Sequence, residues 1–114
     1  MPRAPLILGF AIALTASAVA AITIDGILAS PATYDGQHVT VAGTLHDLQE
    51  KTSQRGNAYD VFSLCADRCV HVFTFGRPKL VEEQKLTVSG TFSAVKHVGS
   101  YTFRNEIEAD DGSL

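Results

Sequence analysis

Gln37-His38-Val39-Thr40-Val41-Ala42-Gly43-Thr44-Leu45 returns later in the chain as Gln84-Lys85-Leu86-Thr87-Val88-Ser89-Gly90-Thr91-Phe92. Alternation in both copies reads as a β-strand, with Val39, Val41 and Leu45 on one face and Leu86, Val88 and Phe92 on the matching face of the second. In each copy a glycine stands where a core-facing side chain is due. A mid-strand glycine marks a bulge or a sharp coil, which lets one strand serve two sheets of a small closed barrel.

Working outward, residues 38–48 form the first strand and the polar stretch 49–57 a loop. Two further strands, about residues 58–65 and 69–75, are separated by Ala66-Asp67-Arg68, a three-residue turn that makes them a hairpin. Residues 76–83, with Pro78, leave room for a turn or two of helix before a fourth strand from Lys85 to about Lys96. Val98-Gly99-Ser100 turns the chain into a fifth strand, 101–109, and residues 110–114 are expected to fray. Upstream, Ile24, Ile27 and Leu28 fit one helical face, ended by Pro31 and by the Asp35-Gly36 turn. The expectation is an all-β, five-stranded OB-fold-like barrel with a short helical or irregular N-terminal lid and a short connector between strands three and four. A small β-sandwich, which usually needs about seven strands, is the rival.

Met1-Pro2-Arg3 precedes an uncharged run from Ala4 to Ile24. Leu6 to Leu14 makes an apolar h-region, and A-x-A cleavage sites follow at Ala18 or Ala20. Residues 1–20 are therefore expected to be a signal peptide and residues 21–114 a single periplasmic or secreted domain. An uncleaved anchor is the alternative, since roughly 20 uncharged residues span a bilayer, and only then is contact with a membrane expected. The chain has nine Lys and Arg against twelve Asp and Glu. Without Arg3 the domain carries eight against twelve, a net charge of about −4, which disfavours nonspecific binding to phosphates.

The order of a lid with Pro31, a Tyr34-Asp35-Gly36 turn, a Val39-Thr40-Val41-Ala42-Gly43 strand and an Arg55-Gly56-Asn57-Ala58-Tyr59 loop continues with Gly76, Val88-Ser89-Gly90-Thr91-Phe92 and a closing Asn105-Glu106-Ile107-Glu108-Ala109. Over residues 24–109 this order resembles small exported bacterial OB-fold proteins. The resemblance implies the fold and a nucleic-acid-binding-type fold label, and little about activity.

Cys65 and Cys69 become cross-strand neighbours if Ala66-Asp67-Arg68 turns the hairpin, and exported proteins sit where such pairs oxidise. A disulfide staple is expected, contributing roughly 2 kcal/mol for so small a ring. A metal pair would need a second cysteine pair to complete it, and a redox couple the usual Cys-x-x-Cys spacing at a helix start. Pairing Cys65 with Cys69 sets Ser63 opposite His71, Val61 opposite Phe73 and Tyr59 opposite Phe75 on one face, with Leu64 opposite Val70 and Phe62 opposite Val72 on the other. Both faces are largely apolar, whereas one side of a barrel wall should be wet. Phe62, Leu64, Val70 and Val72 are expected inside. Tyr59, Val61, His71, Phe73 and Phe75 then form an outer platform, where OB-folds bind ligands. Lys51, Arg55 and Asn57 flank it on one side, and Lys96, His97 and Tyr101 on the other. The competing expectation is that the lid, through Ile24, Ile27, Leu28 and Tyr34, covers this surface.

His38, His46, His71 and His97 lack tight ligand spacing, so no metal site is read from them. His97-Val98-Gly99-Ser100-Tyr101 is similar to the His-x-x-x-Tyr haem-attachment motif of the periplasmic haem chaperone of cytochrome c maturation. In that family the motif follows the last strand, whereas here it falls in the turn between strands four and five, and no cofactor is assigned. Gly-x-Ser-x-Gly, phosphate-loop and His-Glu-x-x-His patterns are missing, and Glu82-Glu83 and Asp110-Asp111 read as solvated charge. The expectation is a monomeric, non-enzymatic module that binds an oligosaccharide, a peptide or a nucleic-acid strand. A structural subunit docking on another envelope protein is the alternative.

Overall fold

The two copies of the repeated pattern form β1 (His38–Thr52) and β4 (Lys85–Val98), and each changes its neighbour partway along. They belong to a computed structural model that describes residues 21–114; the expected signal segment lies outside the described residues. The first part of β1 pairs with β4, from His38 opposite Thr91 to Thr44 opposite Lys85. From Thr44 onward β1 pairs instead with β2 (Ala58–Cys65). The far part of β4 pairs with β5 (Tyr101–Ala109), beginning with Gly90 opposite Ala109. β2 pairs with β3 (Cys69–Phe75), and a short parallel ladder from His71–Glu106 to Phe73–Glu108 closes the ring in the order β1-β2-β3-β5-β4.

Gly43 and Gly90 sit next to these changes of partner because two backbones come too close there for a side chain. A Cβ on Gly90 would overlap the Glu108 carbonyl oxygen and lie 2.8 Å from the Ala109 Cα. One on Gly43 would lie 2.8 Å from the Cys65 carbonyl oxygen and 2.9 Å from Ile24 Cδ1. The β1 bulge lies elsewhere. The register of β1 on β2 slips between His46 and Gln49, where Asp47 takes φ 57°. Pairing then resumes to Thr52 opposite Ala58, so the first strand runs past residue 48 and the expected loop shrinks to residues 53–57. Polar composition was the wrong guide here because this end of the β1–β2 ribbon lies in solvent, where a strand has little need of apolar residues.

The register of β2 on β3 is the one expected from the cysteines, and Cys65 is bonded to Cys69. Phe62, Leu64, Val70 and Val72 are buried with Val39, Val41, Leu45, Val88, Phe92 and Ile107, while Leu86 is only half-buried against them. Each such buried side chain contributes about 1.5–3 kcal/mol relative to exposure. α1 (Ile24–Ala29) adds Ile24, Ile27 and Leu28 to this same core. Thr23 caps it by accepting from Gly26 N, and the Asp25 carboxylate accepts from Arg68 N at 2.9 Å and Asp67 N at 3.4 Å. The lid is thereby tied to the turn inside the disulfide ring.

Pro31 does not simply end the lid. It opens a second short helix, α2 (Pro31–Tyr34), at a first-turn position whose N–H has no helical partner in any case. The tail also departs from expectation: Asp110 N donates to the Ser89 carbonyl, the Asp110 carboxylate meets His38 Nε2 at 2.6 Å, and Leu114 packs on the core. Leu114 is half-buried, and its contact adds to the Asp110 hydrogen bonds in giving residues 110–114 a defined path over the ring.

The staple can be tested directly. Denatured protein should show no free thiol until a reductant is added, and replacing Cys65 and Cys69 together by serine should cost about 1–3 kcal/mol in a denaturant melt while leaving the fold. Two titratable thiols in natively made protein would contradict the bond.

Candidate functional site: an aromatic cleft on the outer wall

Outward residues of β2 and β3 form one wall of a cleft of about 620 Å³, within the roughly 300–1,000 Å³ of small-ligand sites. Tyr59 stacks on Phe73 with ring centroids 5.0 Å apart, and Phe75 meets Phe73 edge-on at 4.8 Å. The other wall comes from the β4–β5 hairpin, whose Tyr101 and Phe103 rings lie 6.4 Å apart with their planes inclined at 27°. Between the walls, Lys96 Nζ stands 5.8 Å from the Phe73 ring centroid, 3.0 Å from Glu108 Oε1 and 3.3 Å from Glu106 Oε1. Ser53 and Asn57, at the base of the shortened loop, line one end, and Asn57 N donates to Ser53 Oγ.

A change of face within β5 makes this arrangement. Ile107 and Ala109 point into the core, so Glu106 and Glu108 point out. Unbroken alternation would then leave Tyr101 and Phe103 on the inner side. The alternation breaks at Asn105, which takes φ 54°. On β4 the matching break falls at half-buried Ala94, whose N–H donates to the Asp35 carboxylate at 2.8 Å. Beyond these residues Lys96, Val98, Tyr101 and Phe103 face the same cleft as Tyr59, Val61, Phe73 and Phe75.

Of the residues expected to bind, Asn57, Tyr59, Val61, Phe73, Phe75, Lys96 and Tyr101 line this cleft. His71 lies in an adjoining trough of about 570 Å³ that shares Val61, Phe103 and Glu106 with it. Lys51 is exposed on β1 opposite Tyr59, and Arg55 is exposed in the turn, both outside the cleft lining. Phe103, Glu106 and Glu108 escape a reading by alternation because of the switch at Asn105. The lid contributes no residue to the cleft, since Ile24, Ile27 and Leu28 enter the core instead. His97 Nδ1 lies 3.1 Å from Thr102 Oγ1 across the hairpin.

Burial works against the Lys96 ammonium, but the hydrogen bonds and charges of Glu108 and Glu106 outweigh it and raise its pKa above the ordinary 10.5. A raised pKa means that the ion pairs stabilise fully below the unfolded value and are lost as pH rises through the folded one. Lys96 is thus cationic throughout the neutral range, and its charge is already engaged by two carboxylates.

Beneath the cleft, Asp60 is buried at 1% exposure. Arg77, on the connector between β3 and β4, gives Nη1 to Asp60 Oδ1 and to the Tyr59 carbonyl, each at 2.7 Å, and Nη2 to the Lys51 carbonyl at 2.7 Å. One guanidinium therefore ties the connector to the strand that carries Tyr59. Sequence offered no signal for this, because Asp60 and Arg77 belong to no recognisable spacing.

No protein-family model matches this chain, and no curated protein matches it significantly.

Proposed function

We propose that this chain is an exported, non-enzymatic OB-fold module that binds a partner through the outer aromatic cleft. The observation that carries the reading is the convergence of Tyr59, Phe73 and Phe75 with Tyr101 and Phe103 around a polar floor, on the wall where OB-folds hold their ligands. The ring order with β3 and β5 parallel, the short connector and the helical lid support the OB assignment. The disulfide suits an oxidising compartment. Among oligosaccharide, peptide and single-stranded nucleic acid, charge favours the first two. Lys96 is held by carboxylates, and Lys51 and Arg55 lie outside the cleft lining.

The test is a contrast between the two faces of one hairpin. Val72→Ala should cost about 2 kcal/mol of stability as a core truncation, while leaving the cleft in place. Phe73→Ala and Tyr59→Ala should cost less stability and weaken ligand binding by about 1–3 kcal/mol per stacked contact. Melting curves and titrations with a chito-oligosaccharide, oligolysine and oligothymidylate decide it. Cleft variants that lose as much stability as Val72→Ala, with no ligand perturbing Phe73, would defeat the binding reading.

Export is tested separately, by intact mass: processed protein should lack about 18–21 N-terminal residues. A membrane-bound product that retains residues 1–14 would make the segment an anchor.

A second reading, a subunit docked on another envelope protein, draws on exposed Val95, Val98, Tyr101 and Phe103 along the β4–β5 hairpin. A stable complex in native extracts, resistant to dilution, would favour it over a free monomer.

A further inference from the structure

The charges of the cleft narrow its ligand, an inference that rests on the binding role proposed above. Lys96 lies over an aromatic face and between two carboxylates, the combination by which proteins hold ammonium and guanidinium groups. Glu106 is nearly buried, with a side chain 9% exposed, whereas the Glu108 side chain is 44% exposed and open to an incoming group. The charged residues of the cleft are Lys96, Glu106 and Glu108, one positive and two negative, so it keeps a net negative charge even with Lys96 in place. A phosphate backbone would meet those carboxylates and find the single ammonium already held.

We propose that the cleft binds an extended peptide segment bearing lysine or arginine, its cationic group seated against Phe73 and Glu108 in competition with Lys96. Lys96 then acts as an internal stand-in that keeps the site filled when no partner is present. An extended segment suits the site because the cleft runs into the second trough through Val61, Phe103 and Glu106, so that consecutive stretches of one chain have room in adjoining hollows. Tyr101 and Phe103 supply the opposite apolar wall.

The experiment is calorimetric titration of the natively processed protein with oligolysine, an uncharged glycine-serine peptide, a chito-oligosaccharide and oligothymidylate, with Phe73 ring resonances reporting location. Oligolysine should bind at least about tenfold more tightly than the uncharged peptide and should shift the Phe73 signals. Glu108→Gln should weaken it by about tenfold, and Lys96→Met should strengthen it by about fivefold by removing the competitor. Glu108 is well exposed, so Glu108→Gln should melt near the parent protein, whereas Lys96→Met leaves nearly buried Glu106 without its ammonium and should melt lower while still folding cooperatively.

Lys96→Met weakening oligolysine, or Glu108→Gln leaving it unchanged, overturns the inference. Oligothymidylate binding at Phe73 and tightening in Glu108→Gln would overturn it in favour of a nucleic-acid strand. A chito-oligosaccharide preferred at Phe73 would do so in favour of a sugar. In either of those last cases the cleft remains a binding site. If no probe perturbs Phe73, the cation inference and the binding reading fall together.

Discussion

Gly90→Ala is expected to destabilise the protein by about 4 kcal/mol, more than the usual cost of an overpacked core, because its obstacle is backbone. The added Cβ would overlap the Glu108 carbonyl oxygen and crowd the Ala109 Cα, at the point where β4 passes from β1 to β5. A flexible side chain could rotate away, whereas a ladder carbonyl can move only with its strand. For a domain of this size the loss corresponds to a fall in melting temperature of roughly 16 °C or more. Gly43→Ala should cost less, about 1–3 kcal/mol, since only one backbone atom crowds the added Cβ, the Cys65 carbonyl oxygen at 2.8 Å, while Ile24 Cδ1 and Leu64 Cγ at 2.9 and 3.0 Å are side-chain groups that can shift. Circular dichroism melts of both variants check the ranking. Equal, small losses would mean that the strands separate at Gly90 without penalty, and the close-approach account of the ring would be wrong.

Arg77→Ala should cost about 3 kcal/mol, the lower end for removing one partner of a buried ion pair, because the arginine side chain is 36% exposed and water reaches part of it. Asp60 would remain buried, with Oδ2 already lacking a hydrogen-bond partner among the described residues. The Lys51 and Tyr59 carbonyls would also lose their guanidinium donor. Arg77→Met combined with Asp60→Leu should recover much of the loss, since an apolar pair of similar size carries no stranded charge. Urea melts of the single and double variants measure this coupling. A double variant as unstable as the single one would show that the backbone ties, and not the buried carboxylate, dominate.

The β2–β3 register could be read ahead of the structure because a three-residue turn and two cysteines leave little freedom in pairing, and the expected partners from Tyr59–Phe75 to Cys65–Cys69 are those observed. The inward set Phe62, Leu64, Val70 and Val72 follows from the same alternation. The end of β1 could not be read this way. Strand propensity there is weak, and pairing is restored by a bulge at His46–Gln49 whose need is set by the neighbouring strand. The path of the tail is illegible in the sequence for a related reason: whether Leu114 finds a hydrophobic neighbour depends on where the ring brings the core surface.

By itself the sequence determined the local terms: five strands, two glycines at core-facing positions within them, one hairpin register, and therefore the cysteine pair and half of the aromatic platform. These follow from interactions a few residues apart, which every compatible fold must satisfy. Only the tertiary structure decided the composition of the cleft. The positive φ at Asn105 turns Phe103 and Tyr101 to the side of Glu106 and Glu108, and the parallel β3–β5 ladder carries that strand alongside Phe73. Closure of the ring brings Lys96 over a ring from another strand and Arg77 beneath Tyr59. Such meetings between residues distant in the chain depend on how the sheet closes, which alternation alone does not specify.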